Sequence, residues 1–309
     1  MKLLTPLLLL ATALWAQGPV QLHGYIQGRF TDQQGTPDRL EIRRARAMVS
    51  GDPLSLLSYS LQVDMLKKPN LLDASLTWKP AKAFHVTVGQ FKIPFSGESL
   101  LADNLEIPVE RARAVNLLSP GRDTGVQGRD TGAQVSGIFD RGSRAMVEYA
   151  AGVFRGQTLV NAPTAHFHAT AARAMVHPVP GLTAGGDWYA SFSAPAHSEK
   201  RRESVEGSYD RGSLTLRSEQ IWARDGNLKR RGGYALGAWR FTKHWEGLTR
   251  TDWYTANAAR PDTTSVIYEA GANYYFGRHV KVQANWGARH DLGPPGFSSV
   301  FLAQTQLGF

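Results

Sequence analysis

Apolar and polar residues alternate with a period of two over long stretches of the chain. Leu57, Tyr59, Leu61, Val63 and Met65 take one face, and Ser58, Ser60, Gln62 and Asp64 the other. Leu72, Ala74, Leu76 and Trp78 oppose Asp73, Ser75, Thr77 and Lys79 in the same way. Later, Val266, Tyr268, Ala270, Ala272, Tyr274 and Phe276 share a face, as do Val280, Val282, Ala284, Trp286 and Ala288. A period of two predicts strands with one apolar and one polar face. Several runs reach about ten residues, the length a tilted strand needs to cross a bilayer. After the N-terminus, no stretch approaches the roughly 18 consecutive apolar residues of a transmembrane helix.

The connections sort into two kinds. "GDPLS", "KPAKA", "HPVPG", "FGRHV" and two copies of "DRGS" read as short turns. Between them come longer polar segments, among them "TDQQGTPDR", a stretch from Ser96 to Asp130, "SAPAHSEKRRES", "RDGNLKRRG" and "HDLGPPGFSS". Short turns on one side and long loops on the other are the asymmetry of an outer-membrane barrel. Strands are expected to begin near Val20, Leu40, Leu56, Leu71, Phe84, Thr131, Arg144, Thr164, Leu182, Arg201, Ser213, Arg231, Leu248, Thr263, Val280 and Ser298. The predicted fold is all-β, a closed antiparallel transmembrane barrel of about 16 strands. The last strand, "SVFLAQTQLGF", puts Phe301, Ala303, Thr305, Leu307 and Phe309 on one face and ends on an aromatic residue.

The first residues, "MKLLTPLLLLATALWAQG", carry one lysine, an apolar run and then small residues, the layout of a secretory signal. We expect residues 1–16 to be a signal peptide cleaved after Ala16, and residues 17–309 to form one barrel domain. The formal charge is +9, and +8 once Lys2 is removed. That excess is spread along the chain and does not by itself establish anion preference. Nucleic acid is not an expected partner of an exported barrel. The absence of cysteine excludes disulfides and thiolate metal sites.

Three blocks carry a family resemblance: "LEIRRARAMVSG" from Leu40, then "VGQFKIPFSGE", then "VERARAVNLLSPGRDTGVQ". In order and spacing they resemble the phosphate-selective porin O and P family, most clearly over residues 20–155. The resemblance implies a sixteen-stranded, usually trimeric barrel in the outer-membrane lipid. It also implies a third extracellular loop folded inward and a lumen lined by Arg and Lys. The segment from Ser96 to Asp130 falls where that loop belongs.

The candidate site residues follow from side-chain parity. Ala45, Ala47 and Val49 suit the lipid face, so Arg44 and Arg46 are expected in the lumen. Arg43 breaks the alternation set by Leu40 and Ile42, which suggests a bulge or a strand end. The inward loop offers Arg111, Arg113 and Arg122, with Lys92 on the strand that enters it. Lys281 and Arg289 lie opposite the apolar face of a late strand. Cations facing a water-filled pore select anions, and the Arg fork can meet two phosphate oxygens at once. Nearby carboxylates such as Glu110 and Asp123 can instead consume these charges.

"GRDTGVQGRDTGAQ", Gly121 to Gln134, repeats nearly the same seven residues. It lacks a P-loop lysine and is far below solenoid periods. The first copy, preceded by Pro120, matches the family block. The second reads as a local duplication at the loop-to-strand junction. His166 and His168 could share a metal, but no third ligand accompanies them. No Ser–His–Asp spacing stands out, so an enzyme is not expected, and no cofactor is called for. The leading reading is a porin for small anions, phosphate-like oxyanions foremost. The alternative is a structural or adhesive barrel without a conducting pore.

Overall fold

The computed structural model describes residues 20–66, 70–142, 144–156, 168–192, 199–293 and 296–309. Its strands are β1 (Gln21–Gln33), β2 (Arg39–Leu54), β3 (Leu57–Asp64), β4 (Leu71–Ala81), β5 (Phe84–Lys92), β6 (Arg129–Arg141), β7 (Arg144–Phe154) and β8 (Ala169–Val176). They continue with β9 (Leu182–Ser191), β10 (Lys200–Arg211), β11 (Leu214–Asp225), β12 (Leu228–Arg240), β13 (Trp245–Thr255), β14 (Thr264–Tyr275), β15 (Val280–Asp291) and β16 (Gly296–Gly308). Each strand pairs with its chain neighbours, and β16 returns to β1, so the sheet closes without an edge. The closure has its own fitting. Phe309 and Gly24 exchange backbone hydrogen bonds at 3.0 and 3.1 Å. A Cβ on Gly24 would lie 2.2 Å from the Phe309 ring, so only glycine leaves room for the ring there.

Parity puts the apolar set outside. Leu22, Ile26, Leu61, Leu76, Trp78, Val135, Phe139, Trp286 and Leu307 are all exposed on the outer face. The break at Arg43 coincides with a register shift. Gln27 faces Arg44 while Gly28 faces Ile42, which leaves Arg43 as the extra residue of a bulge. A second shift corrects the expected face of Leu72. It falls between Gln62 and Val63, and Leu72 is fully buried rather than aligned with Ala74, Leu76 and Trp78.

Four boundaries also move by two or three residues, those of β13 and β16 to Trp245 and Gly296. β6 begins at Arg129, and β12 at Leu228, so most of "RDGNLKRRG" is strand around a tight turn at residues 226–227. The expected strand start at Thr164 lies outside the described residues, as does His166.

Residues 93–128 join β5 to β6. They hold two short helices, Gly97–Leu100 and Arg113–Leu118, and a 3-10 turn at Asp103–Leu105. This segment meets side chains from strands all round the ring. Glu110 pairs with Arg29 of β1, and Asp103 with Arg46 of β2. Gln306 of β16 donates to the Asn104 carbonyl at 3.3 Å, and Gln283 of β15 to the Ile107 carbonyl at 2.8 Å. The Ser96 amide donates to Asp187 of β9 at 2.9 Å. Contacts on every side place the segment within the ring. Its Ile107, Val115 and Leu118 pack with Ile221, Tyr234, Leu236, Leu248 and Tyr254 from β11 to β13 in one buried cluster. Burying each large apolar side chain contributes about 1.5–3 kcal/mol. The segment is therefore packed against one half of the interior and leaves the β1–β4 half less filled.

Candidate functional site

On the less filled side, the segment and β2 enclose a cavity of about 270 Å³. Arg43, Arg44, Arg46, Arg111 and Arg122 line it, against the carboxylates Asp103 and Glu110. A larger cavity, about 460 Å³, lies on the short-turn side and reaches Gly24, Arg278, His279 and Phe309. Arg46 and Asp103 belong to both linings, so this ion pair stands between the two spaces.

The bulge makes the arginine set possible. On a regular strand Arg43 and Arg44 would point to opposite faces. With the extra residue in β2, both reach inward. The Arg43 guanidinium donates to Glu110 at 3.1 Å, and Arg44 donates to Gln27 at 3.0 Å and lies 3.4 Å from Asp103. Arg46 is held harder. It donates to Asp64 at 3.0 Å and to the Tyr25 hydroxyl at 2.9 Å, and it also pairs with Asp103. Arg46 is only 4% exposed. Arg111 pairs with Asp103 at 2.8 Å and with Glu106. Arg122 donates to the Ser99 hydroxyl at 2.7 Å and to its carbonyl at 3.0 Å, which are neutral partners.

Both carboxylates stay ionised in this company. Burial works against the Asp103 charge, but Arg111, Arg44 and Arg46 outweigh it and hold the carboxyl well below the usual range. Burial likewise opposes the Glu110 charge, and Arg43, Arg44 and Arg29 lower its pKa all the same. Five arginines and two carboxylates line this cavity, and Asp64 and Glu106 behind the lining offset Arg46 and Arg111.

Of the eight expected residues, the structure brings Arg44, Arg46, Arg111 and Arg122 together here. The others lie elsewhere. Lys92 lines the larger cavity but donates to the carbonyls of Leu100 and Leu101 at 2.9 and 2.8 Å. Lys281 is buried and donates to the carbonyls of Asn104 and Glu106 at 3.2 and 2.8 Å. Both lysines hold the segment in place. Arg113 and Arg289 sit on the far wall. Arg113 donates to Ser265 at 2.6 Å and lies over the Tyr254 ring, and Arg289 pairs with Asp291 at 2.8 Å.

The doubled stretch splits across the site. Gly121 and Gly128 both take positive φ, 74° and 79°, so each copy opens on a left-handed turn. The first copy then stays in the segment and sends Arg122 to the arginine cavity. The second enters β6, where Arg129 clasps Asp73 with two bonds of 2.9 Å and donates to Gln62. Arg129 thereby lines the larger cavity, a role parity alone does not reveal. Among the described residues no cluster of three or more His, Cys, Asp or Glu could hold a metal.

Comparison with known proteins adds three findings. The model of the family described as phosphate-selective porin O and P matches residues 20–292. No curated protein is a significant match in sequence. Solved structures share the fold at low identity. An anion-selective porin from Comamonas acidovorans superposes with a TM-score of 0.73 at 12% identity, covering 95% of this chain and 100% of that one. The trimer form of OmpT from Vibrio cholerae gives 0.68 at 12%, covering 94% and 99%. OmpF of Salmonella typhi in complex with daunomycin gives 0.70 at 11%, covering 94% and 98%.

Proposed function

The chain belongs to the phosphate-selective porin O and P family, and from that premise we propose that small anions diffuse through it past Arg43, Arg44, Arg46, Arg111 and Arg122. It is a channel protein of the bacterial outer membrane and not an enzyme. The observation that carries the anion reading is the meeting of Arg43, Arg44 and Arg122 with Arg46 and Arg111 at one cavity of about 270 Å³, where Arg122 has only neutral partners while Asp64 and Glu106 offset Arg46 and Arg111. Rings of fixed cations in a narrow aqueous passage favour anions over cations. The anion selectivity named for the Comamonas acidovorans porin is in keeping with this reading.

Phosphate-like oxyanions are the proposed preferred cargo. Arg43 and Arg44 are adjacent and face the same space, and their planar forks suit an anion with several oxygens better than chloride. Arg46 and Asp103, shared by both cavities, form the proposed narrowest point. Arg129 and Lys92 flank the larger cavity as lesser contributions to the field. Arg113, Lys281 and Arg289 serve the same field only at a distance. The working unit is proposed to be a homotrimer, as in the trimer form of the OmpT structure, set in outer-membrane lipid after loss of residues 1–16.

Planar-bilayer recording tests the cargo. Inorganic phosphate added to a chloride electrolyte should lower the chloride current at millimolar concentration, and Arg43→Gln with Arg44→Gln should relieve that block. A chloride current indifferent to phosphate would leave a general anion pore. No current at all would favour the non-conducting barrel. Intact-mass analysis of the exported protein checks cleavage after Ala16.

A further inference from the structure

The outer surface carries a cationic row that the pore does not use. In the register of the sheet Arg201 of β10 faces Arg224 of β11, and Arg224 faces Lys229 of β12. The next row inward along the strands reads Glu203, Trp222 and Arg231, with Trp188 of β9 beside Glu203. Trp188 and Trp222 are 41% and 44% exposed on the outer face, so parity sends Arg201, Arg224, Lys229 and Arg231 outward as well. All four are exposed.

The arrangement is costly as drawn. Side chains directly opposite on paired strands stand about 5 Å apart, and like charges there are destabilising. The nearby carboxylates do not relieve it. Asp225 faces inward and pairs with Arg202 at 2.6 Å and with Arg230. Among the described residues, Glu203 and the four outward cations enter no ion pair. The β11–β12 connection does not cover the row, because it is residues 226–227 alone.

Its height on the barrel identifies the missing partner. Exposed tryptophans mark the boundary between hydrocarbon and headgroups. The cation row lies two residues beyond Trp222, about 7 Å along the strand. It is at the end that carries residues 93–128 and the other long connections, the side that faces outward in such barrels. We propose that Arg201, Arg224, Lys229 and Arg231 bind the phosphate groups of a phosphorylated glycolipid in the outer leaflet. The acyl chains would then lie against Trp188, Trp222 and the apolar face below. A phosphate between three cations turns a repulsive row into charge-assisted hydrogen bonds.

The test uses the whole protein in neutral detergent, titrated with lipid A and with lipid A stripped of its phosphates. Arg201→Gln, Arg224→Gln and Lys229→Gln are combined in one variant. Arg211→Gln with Lys243→Gln, exposed near the short turns, is the control. Each cation near an anionic surface contributes about 1 kcal/mol, so the triple variant should bind lipid A on the order of 100-fold more weakly than wild type. Phosphate-free lipid A should not separate the two, the control should match wild type, and single-channel conductance should be unchanged. The wild-type comparison of the two lipids needs no variant to fold. Equal affinity for both lipids would overturn the proposal. So would a triple variant that binds lipid A like wild type. Loss of subunit assembly in that variant would reassign the row to a contact between copies.

Discussion

The wall from β9 to β15 and the wall from β1 to β3 use charge in opposite ways. On the first, carboxylates meet backbone amides, a serine hydroxyl, or one arginine shared between two of them. Asp187 accepts from the Ser96 amide, Glu206 from the Gly97 amide at 3.0 Å, and Asp252 from the Arg113 and Ala114 amides. Glu219 accepts from the Ser96 hydroxyl at 2.9 Å. Arg250 bridges Glu269 at 2.6 Å and Glu98 at 3.5 Å. These contacts dock residues 93–128, and the carboxylates among them outnumber the arginine, so they leave no cationic excess. On the second wall the same segment supplies two carboxylates to a gap lined by five arginines. Charge that positions a loop is consumed by the loop, and charge left over where the loop stands away is available to a passing ion.

Breaking the docked wall should have the largest effect. Arg250→Ala strands Glu98 and Glu269 in a buried site, and removal of one partner of such a pair costs about 3–5 kcal/mol. Urea unfolding in micelles should show a loss of that size. A variant within about 1 kcal/mol of wild type would mean that this wall does not depend on its ion pairs. Ala45→Glu comes next. It places a carboxylate against hydrocarbon, at somewhat less than the roughly 2–4 kcal/mol given for Arg or Lys at mid-depth. Insertion should slow, whereas Arg44→Glu, one residue away but inward, should insert normally. Equal insertion of the two would show that this stretch of β2 is assigned to the wrong faces.

Asp103→Asn sharpens the comparison from the other side. It frees Arg44, Arg46 and Arg111 from a shared carboxylate next to the cavities rather than in dry packing. The expected cost is about 1–3 kcal/mol, with a rise in anion preference. An unchanged preference would remove Asp103 from the selective region. The smallest effect is that of salt. The Debye length shrinks from about 10 Å at 0.1 M to about 3 Å at 1 M, so selectivity should fall over that range. Selectivity that holds at 1 M would point to direct binding in place of a field.

Much of the barrel is legible in the sequence because hydrocarbon imposes alternation on every lipid-facing strand. Phe84, Arg144, Leu182 and Val280 begin strands where the pattern says they do. β12 starts earlier than expected because "RDGNLKRRG" is strand beyond the hydrocarbon, where outward-facing positions need not be apolar. Its lower part, "GGYALGAW", hides its parity, since Tyr234, Leu236 and Ala238 are apolar and yet face the packed segment. Leu72 escapes for a related reason, as a bulge shifts parity without changing composition.

The arginine site is half legible. Arg44 and Arg46 follow from parity, and Arg43 announces its bulge. Lys281 is correctly inward, but the carbonyls that absorb its charge come from a segment distant in sequence. Arg129 sits in a duplicated motif whose two copies take different conformations. Only the fold tells them apart.

The reversal potential in a gradient of potassium chloride, measured at low salt on wild type and on Arg43→Glu with Arg44→Glu, tests the central claim most directly. The substitution converts five arginines against two carboxylates into three against four. Wild type should favour chloride, and the variant should lose or reverse that preference while remaining an open channel. A wild type that favours potassium, or a variant as anion-selective as wild type, would contradict the account.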